Sequence, residues 1–403
     1  MDAVLVYTKY LKSISYYFVI IIFITPMKLH AGPWYIEPSI SSEIGYNNNL
    51  RLDENTNDDD TWIMRLRTAA ILGIKNEPWD VNTSLSLDIN RYPSINEYDT
   101  NNIQSGFHAV YNTETSKAGL DYIFSRGSTL ENFIDNTGTI DTRSHRKKEK
   151  VYKPFWKYSF DEVTTFGING ESTKLDYSEQ DPVNDDFKVE TISAYLNRQL
   201  SQTSSFTLSS YLSKYSQDSR TVDTVIDYEG INIGLNHAFN RKISITASIG
   251  RQNTDSKRES KDLEVASITQ NKSQTDLYSL EIYTKSYLTD YRAEYSLQAI
   301  YDSQGNINER EEFKVNVTHR VNEKSSLIFD GRYFSQINIS NDSSDNDRTF
   351  WSANVSYIFR YQPQAVFKIG YTRNDSKYRL NTRSATSDSL VLSFEYYWDK
   401  VYL

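Results

Sequence analysis

From Trp34 to Trp398 the chain changes character at every second residue. The side chains of a strand point alternately to its two faces, so this spacing marks strands with one apolar and one polar face. Trp34, Ile36, Pro38, Ile40, Ile44 and Tyr46 share one parity, while Glu37, Ser39, Ser41, Glu43 and Gly45 take the other. Trp62, Met64, Leu66, Ala70 and Leu72 stand against Arg65 and Arg67 in the same way, and Trp79, Val81, Leu85, Leu87 and Ile89 against Asp80, Asn82, Ser84, Ser86 and Asp88. Each stretch is about ten residues, the length with which a tilted strand crosses a bilayer. Later faces include Tyr291 to Tyr301, Phe313 to Val321, Trp351 to Phe359 and Leu390 to Trp398, again at alternate positions. One segment changes phase. Phe187 and Val189 hold one parity and Ile192, Ala194 and Leu196 the other, which predicts a β-bulge near Thr191.

Composition decides what medium such strands suit. Hydrophobic residues make up only 38% of the chain, yet aromatics reach 14%, with 31 tyrosines. A large α/β enzyme would carry continuous aliphatic runs, and a disordered chain would be poor in aromatics. A barrel in lipid satisfies both numbers, because only alternate residues of each strand face the hydrocarbon. A soluble jelly roll or sandwich is the alternative. It would bury aliphatics and use Gly/Pro-rich turns, whereas these faces are rich in Tyr and Trp near strand ends, as in the aromatic girdles of membrane barrels.

The connections point the same way. Short ones fall at Ile74 to Pro78, Asn112 to Ser116, Asp161 to Glu162, Ser201 to Ser204, Asn240 to Lys242, Leu288 to Asp290, Asn322 to Lys324 and Gln362 to Gln364. Between them come long ones, at Asn47 to Asp60, Arg126 to Lys150, Asp176 to Asp186, Arg251 to Gln274, Ser340 to Arg348 and Thr372 to Ser387. Short periplasmic turns alternating with long extracellular loops characterise outer-membrane barrels. The expected fold is all-β: a transmembrane antiparallel up-and-down β-barrel of about 18 strands (16–18), in the outer membrane of a Gram-negative bacterium.

Residues 1–31 read as a signal peptide, leaving 32–403 as one barrel domain. Lys9 and Lys12 supply the positive region, Ile14 to Ile24 the apolar one, and Leu29-His30-Ala31 a cleavage site. The apolar run is shorter than the ~20 residues of a spanning helix, which leaves anchoring by this segment as the weaker alternative.

The polar parity carries the candidate functional residues. Arg65, Arg67, Arg292, Lys314, Arg320, Arg332 and Lys368, with Glu37, Glu43 and Glu294, are expected to line a lumen. They form either a salt-bridged wall or a track that pairs anionic sugar groups, with rings such as Tyr211 and Tyr283 stacking on sugars. Arg292, Lys314, Arg320 and Arg332 are expected to build one basic patch. No catalytic, cofactor or metal site stands out. The absence of Cys removes zinc clusters and thiol nucleophiles, and a net charge of −9 weighs against nucleic acid. A barrel hydrolase needs His beside Ser or Asp at the outer rim. His108 faces the lumen by parity, His237 and His319 fall on lipid-facing positions near periplasmic strand ends, and His145 lies in a basic loop. That loop, Arg143 to Lys150, reads as a constriction, as a lipopolysaccharide contact, or simply as a solvated strand extension. The acidic stretches Asp53 to Asp60 and Asp342 to Asp347 read as cation bridges or as solubilising loops.

Trp34-Tyr35-Ile36-Glu37-Pro38-Ser39, followed by Gly45-Tyr46-Asn47-Asn48-Asn49-Leu50, resembles the opening of β-barrel porins encoded in exopolysaccharide and exosortase (PEP-CTERM) gene clusters. The likeness covers the first strand and an Asn-rich first loop. It implies a porin-like channel linked to exopolysaccharide export, with lipid, lipopolysaccharide, the barrel assembly machinery and polysaccharide as partners. A closed structural or surface-interaction barrel is the alternative. The ending departs from the usual terminal aromatic, because Asp399 to Leu403 follow Trp398. Either the last strand runs on to Tyr402 or these residues hang in the periplasm.

Overall fold

The computed structural model describes residues 34–52, 60–129, 145–178, 185–219, 222–261, 268–301, 307–339, 347–378 and 384–402. The signal segment, residues 53–59 and 340–346 of the acidic loops, and Arg143 and Ser144 lie outside the described residues.

The elements are β1 (Trp34–Asn47), β2 (Thr61–Lys75), β3 (Trp79–Arg91), β4 (Thr100–Asn112), β5 (Ser116–Ser128) and β6 (Arg146–Ser159). They continue with β7 (Thr164–Tyr177), β8 (Phe187–Gln199), β9 (Ser204–Asp218), β10 (Val222–Ala238), β11 (Ile243–Ser260) and β12 (Ile268–Lys285). The last are β13 (Thr289–Tyr301), β14 (Ile307–Arg320), β15 (Ser325–Asn338), β16 (Arg348–Gln362), β17 (Ala365–Tyr378), β18 (Ser384–Tyr397) and β19 (Val401–Tyr402). All belong to one sheet in which consecutive strands from β1 to β18 pair antiparallel. The sheet closes because β1 pairs with β2 on one side and with β18 on the other, from Ser39↔Tyr397 to Asn47↔Ser389. Closure removes the edges whose unpaired backbone groups lipid cannot satisfy. β19 settles the ending: Tyr402 pairs with Tyr35 and Val401 with Ile36, so the chain resumes pairing with β1 after a break. The result is a closed antiparallel barrel of eighteen wall strands, as the alternation implied.

The faces follow parity. Trp62, Met64, Leu66, Leu85, Phe107, Leu208, Ile233, Phe313 and Leu392 are exposed on the outer face, while Tyr35, Ile63 and Val151 are buried on the inner one. On the inner face an aromatic ring repeatedly covers a glycine directly across the ladder. Tyr35 lies over Gly73, Phe155 over Gly119, Tyr195 over Gly167 and Tyr211 over Gly230, where a Cβ would stand 2.6 Å or less from the ring. Glycine there lets the ring lie flat on the wall.

The expected bulge at Thr191 is absent. β8 keeps one continuous register with β7 and β9, Thr191 facing Glu171 and Ser213. Phe187 and Val189 point inward, into a buried cluster with Leu175, Tyr215, Ile226, Tyr228 and Ile307. The register shift lies elsewhere, between Arg360 and Gln362 opposite β17. Because Ile307 opens β14, the cluster joins walls several strands apart. The cluster thus ties the extracellular end of β7–β10 to β14, and a concavity of about 1100 Å³ lies on the outside of β6–β12 between such residues as Pro154, Leu212, Glu229 and Lys272.

The expected loops Arg251 to Gln274 and Thr372 to Ser387 are mostly strand. β11 pairs with β12 from Ile243↔Thr284 to Glu259↔Ile268, and β17 with β18 from Ala365↔Tyr396 to Lys377↔Ser384. Arg146 to Lys150 likewise begin β6, as the strand-extension reading has it. Strict alternation of loop length fails too. Only three residues, 219–221, separate β9 from β10 and only five, 302–306, separate β13 from β14, and the turn expected at Leu288 to Asp290 gives way to β13 at Thr289. Three of the periplasmic turns share a device, in which a side-chain oxygen collects backbone donors two and three residues on. Asn240 Oδ1 accepts from the N–H groups of Lys242 (2.7 Å) and Ile243 (3.0 Å), Asn322 Oδ1 from Lys324 (2.8 Å), and Asp161 Oδ1 from Val163 (2.9 Å) and Thr164. The Val163 hydrogen bond, foremost, holds the Asp161 carboxyl below its ordinary pKa.

Candidate functional site in the barrel lumen

The ten residues expected to line the lumen alternate with the exposed apolar positions of their strands and fall in two groups. The first spans the closure. Arg65 donates to Glu43 at 3.1 Å, and the Arg67 guanidinium grips the Asp88 carboxylate through both oxygens. These four side chains, with Ser41, Asn90, Ser393 and Glu395, surround a cavity of about 280 Å³. Lys368 stands one strand away, in register with Ser393. Below, Glu37 pairs with Lys400 at 2.6 Å, and that ammonium sits 3.7 Å from the centre of the Tyr35 ring. Glu37 therefore secures the end of the chain.

The second group lies on β12–β16. Arg292 pairs with Glu281 at 3.0 Å, and Glu294 faces Lys314 in register. Lys314 and Arg332 share Glu312, with Lys314 Nζ at 2.9 Å from its carboxylate. Arg320 stays exposed at the periplasmic end, opposite Ser326, so the expected basic patch does not reach it. What joins the patch instead is a set that sequence reasoning missed. Phe334 is buried and stacks on Phe350, with ring centres 5.2 Å apart. Arg310, Arg332 and Arg348 approach the Phe334 ring at 4.5, 5.3 and 5.7 Å, and Arg310 donates to Gln336 at 2.8 Å. Cations held over aromatic faces are attracted by the ring quadrupole. Parity counted back from Lys314 would have found Glu312 and Arg310.

The extracellular mouth is packed by the Asn-rich segment after β1. Asn47 Oδ1 accepts from the Asn49 N–H at 2.8 Å and from Ser387 Oγ at 3.1 Å, and Asn48 Oδ1 from the Asp388 N–H at 2.8 Å. Thus clamped to β18, the chain turns inward through Leu52, at φ 52°. Leu50 buries against Ile63, Tyr92 and Tyr98, and Leu52 against Phe334, Phe350 and Ala385. Tyr92 and Tyr98 come from the β3–β4 connection, which contains one 3₁₀ turn, Asn96–Tyr98.

The tyrosines expected to stack on sugars are differently placed. Tyr211 has one face on Gly230 and its hydroxyl donates to Gln252, whereas Tyr283 faces Arg292 across the ladder. Among the histidines, His108 contacts Asp121 inside the lumen. His237 meets Ser204 and His319 meets Thr289, each at 2.8 Å, at the periplasmic ends of their strands. Among the described residues no group of three His, Cys, Asp or Glu side chains could hold a metal ion.

No family model matches the chain, and no curated protein matches it by sequence. Solved structures do. The siderophore receptor PiuA from Acinetobacter baumannii superposes with a TM-score of 0.52 at 8% identity, over 91% of this chain and 82% of the receptor. The ferric citrate transporter FecA gives 0.52 at 8% over 91% and 79%, and the ferric-catecholate import receptor Fiu from E. coli K12 gives 0.50 at 8% over 90% and 81%. At such identity the likeness speaks for architecture alone, and the architecture it shows is the outer-membrane β-barrel.

Proposed function

We propose that the protein is an outer-membrane channel of a Gram-negative bacterium, exported by its N-terminal signal, and that exopolysaccharide is its solute. The observation that carries this reading is the inner wall: a barrel of this strand number is wide enough for an aqueous path, and charged residues face inward on β1–β3 and on β12–β18. The resemblance of Trp34 to Leu50 to porins of exopolysaccharide clusters supports the choice of solute. The outer apolar face suits lipid and lipopolysaccharide, and the paired strand end at Tyr402 suits the barrel assembly machinery.

One observation favours the closed structural barrel instead. The mouth is lined by buried Leu50, Leu52, Tyr92, Phe334 and Phe350, an arrangement suited to sealing. A hydrolase has less support, because the hydroxyl–imidazole pairs lie at periplasmic strand ends. Planar-bilayer recording of the purified barrel, together with assay of extracellular polysaccharide in a deletion strain, separates the readings. Conductance and loss of exported polysaccharide are expected; a folded barrel that never conducts, with polysaccharide unchanged, leaves the structural barrel.

A further inference from the structure

The outer face of β5–β9 changes from apolar to charged toward the mouth, and the cations there fall in a row. On β6 the exposed Tyr152 gives way to Lys150, on β8 Ile192 to Glu190 and Lys188, and on β9 Leu212 to Lys214. Across the ladder Lys150 is in register with Lys174, and Lys174 with Lys188; one step higher, Arg126 opposes Lys148. Side chains directly opposite on a ladder stand about 5 Å apart, and like charges so placed repel. Lys174 and Lys188 each meet a carboxylate of their own strand, Asp176 at 2.8 Å and Glu190 at 2.7 Å. Arg126, Lys148 and Lys150 form no ion pair among the described residues.

Beside the row, toward the hydrocarbon, the surface is hollow. Pro154 has no N–H to give the ladder, and β6–β7 pairing is interrupted there, between Tyr152↔Ser172 and Phe155↔Asn169. Gly170 next to it carries no side chain, and a Cβ there would stand 3.0 Å from the Pro154 ring. These two residues, with Tyr152, Ile192 and Leu212, form the apolar part of the outer concavity of about 1100 Å³. Tyr122 extends that apolar part, its ring centre 4.7 Å from that of Tyr152. A hydrocarbon-lined hollow bordered by cations suits a lipid with a phosphorylated headgroup, since lysine holds phosphate as a point charge. The spacing selects among such lipids. With strands about 4.8 Å apart, the row from Lys150 to Lys188 spans about 10 Å, wide enough for two phosphates on one headgroup, whereas a phospholipid brings one.

We propose that the outer face of β5–β9 is a binding site for lipopolysaccharide, with its phosphates on Lys150, Lys174 and Lys188 and an acyl chain in the hollow. The proposal rests on the reading of the chain as an outer-membrane barrel, which puts this level in the outer leaflet. It gives the row a reason, because a bound dianion turns mutual repulsion into shared attraction.

The test is native mass spectrometry of the full-length barrel in detergent, titrated with bisphosphorylated lipid A, dephosphorylated lipid A and phosphatidylglycerol. Lipid A with both phosphates is expected to bind at least tenfold more tightly than either of the others and to resist millimolar inorganic phosphate. Replacing Lys150, Lys174 and Lys188 together by Gln is expected to weaken that binding tenfold or more, with heat-modifiable gel mobility reporting the fold. Lys148→Gln with Lys150→Gln is the second variant should the triple one not fold. Ile192→Trp, which fills the hollow without altering charge, is expected to weaken binding tenfold as well. Lys257→Gln with Lys377→Gln removes charge from exposed positions on β11 and β17 and is expected to leave binding unchanged. Equal affinity for dephosphorylated lipid A or phosphatidylglycerol, displacement by inorganic phosphate, or binding unchanged in the folded lysine or Ile192 variants overturns the site. Equal loss in the β11 and β17 control also overturns it, in favour of unspecific charge attraction. Failure of the membrane reading registers separately, as a chain that fractionates with soluble proteins in the expressing cells.

Discussion

Glu312→Gln tests the charge logic of the lumen at a carboxylate whose side chain is only 3% exposed. Glu312 is shared by Lys314, whose ammonium lies 2.9 Å away, and by the Arg332 guanidinium. Removing one member of a buried ion pair costs about 3–5 kcal/mol, because the remaining charge stays desolvated. Lys314 and Arg332 keep side-chain exposures of 44% and 30%, so water recovers part of that loss and the expected cost falls to about 2–3 kcal/mol. Coulomb's law gives the same order: two like charges about 5 Å apart, at an effective dielectric near 20, repel by about 3 kcal/mol. Urea titration of the barrel in detergent, followed by tryptophan fluorescence, measures the change. The double variant Glu312→Gln, Arg332→Met should recover part of the loss, since it removes one of the stranded cations. A Glu312→Gln barrel within about 0.5 kcal/mol of the parent, the range of ordinary surface substitutions, would refute the argument.

Leu85→Arg and Val315→Arg put a charge on the outer apolar face, at roughly 2–4 kcal/mol near mid-membrane, and should impair assembly judged by heat-modifiable gel mobility; Ser86→Arg and Asn316→Arg, facing inward, should be tolerated. Leu52→Asp places a charge among Phe334, Phe350 and Ala385, and single-channel conductance should rise if this segment narrows the mouth; an unchanged conductance sinks that role. Neutralising Arg292, Lys314, Arg320 and Arg332 together should move ion selectivity toward cations in reversal-potential measurements, because fixed charge sets the local counter-ion concentration. Because the folded pKa of Asp161 is lowered, its stabilisation is present above the ordinary carboxyl value of about 3.9 and is lost as pH falls through the lowered one. Asp161→Asn keeps the turn acceptor, as Asn240 and Asn322 do, so its urea midpoint should fall less between pH 5 and pH 3 than that of the parent.

Parity sets the ten candidate residues at positions that alternate with the exposed apolar ones, because the positions facing hydrocarbon must be apolar. It misled at Phe187 and Val189 and passed over Glu312, Arg310 and Phe334, and these misses have one physical origin. Above the apolar band the strands continue, and the media on their two faces exchange. The outer face meets water and carries Glu229, Asn253, Gln274, Glu309 and Glu311, among which Asn253 donates to Glu229 at 3.0 Å and Gln274 to Asn253 at 3.1 Å. The inner face meets the opposite wall and carries Phe187, Val189, Tyr215, Ile226, Phe334 and Phe350, all buried. A period of two reports that two faces differ but not which of them is dry, since lipid and a packed lumen both select apolar side chains. The inversion in β8 therefore looks like a one-residue slip, although the backbone register through Thr191 is unbroken. In β14 the inward apolar and charged residues precede Phe313, where the hydrocarbon-facing pattern begins, and the strand was read as starting there. The level at which parity inverts thus marks the upper edge of the apolar band: Leu212 against Glu229 in β9–β10, Ile249 before Arg251 in β11, and Asp276 before Tyr278 in β12. The Asn-rich segment, the cluster that joins β7–β10 to Ile307 and the Phe334 cluster all sit at or above that edge, so the packing of the mouth rests on contacts between distant strands, which no local period encodes.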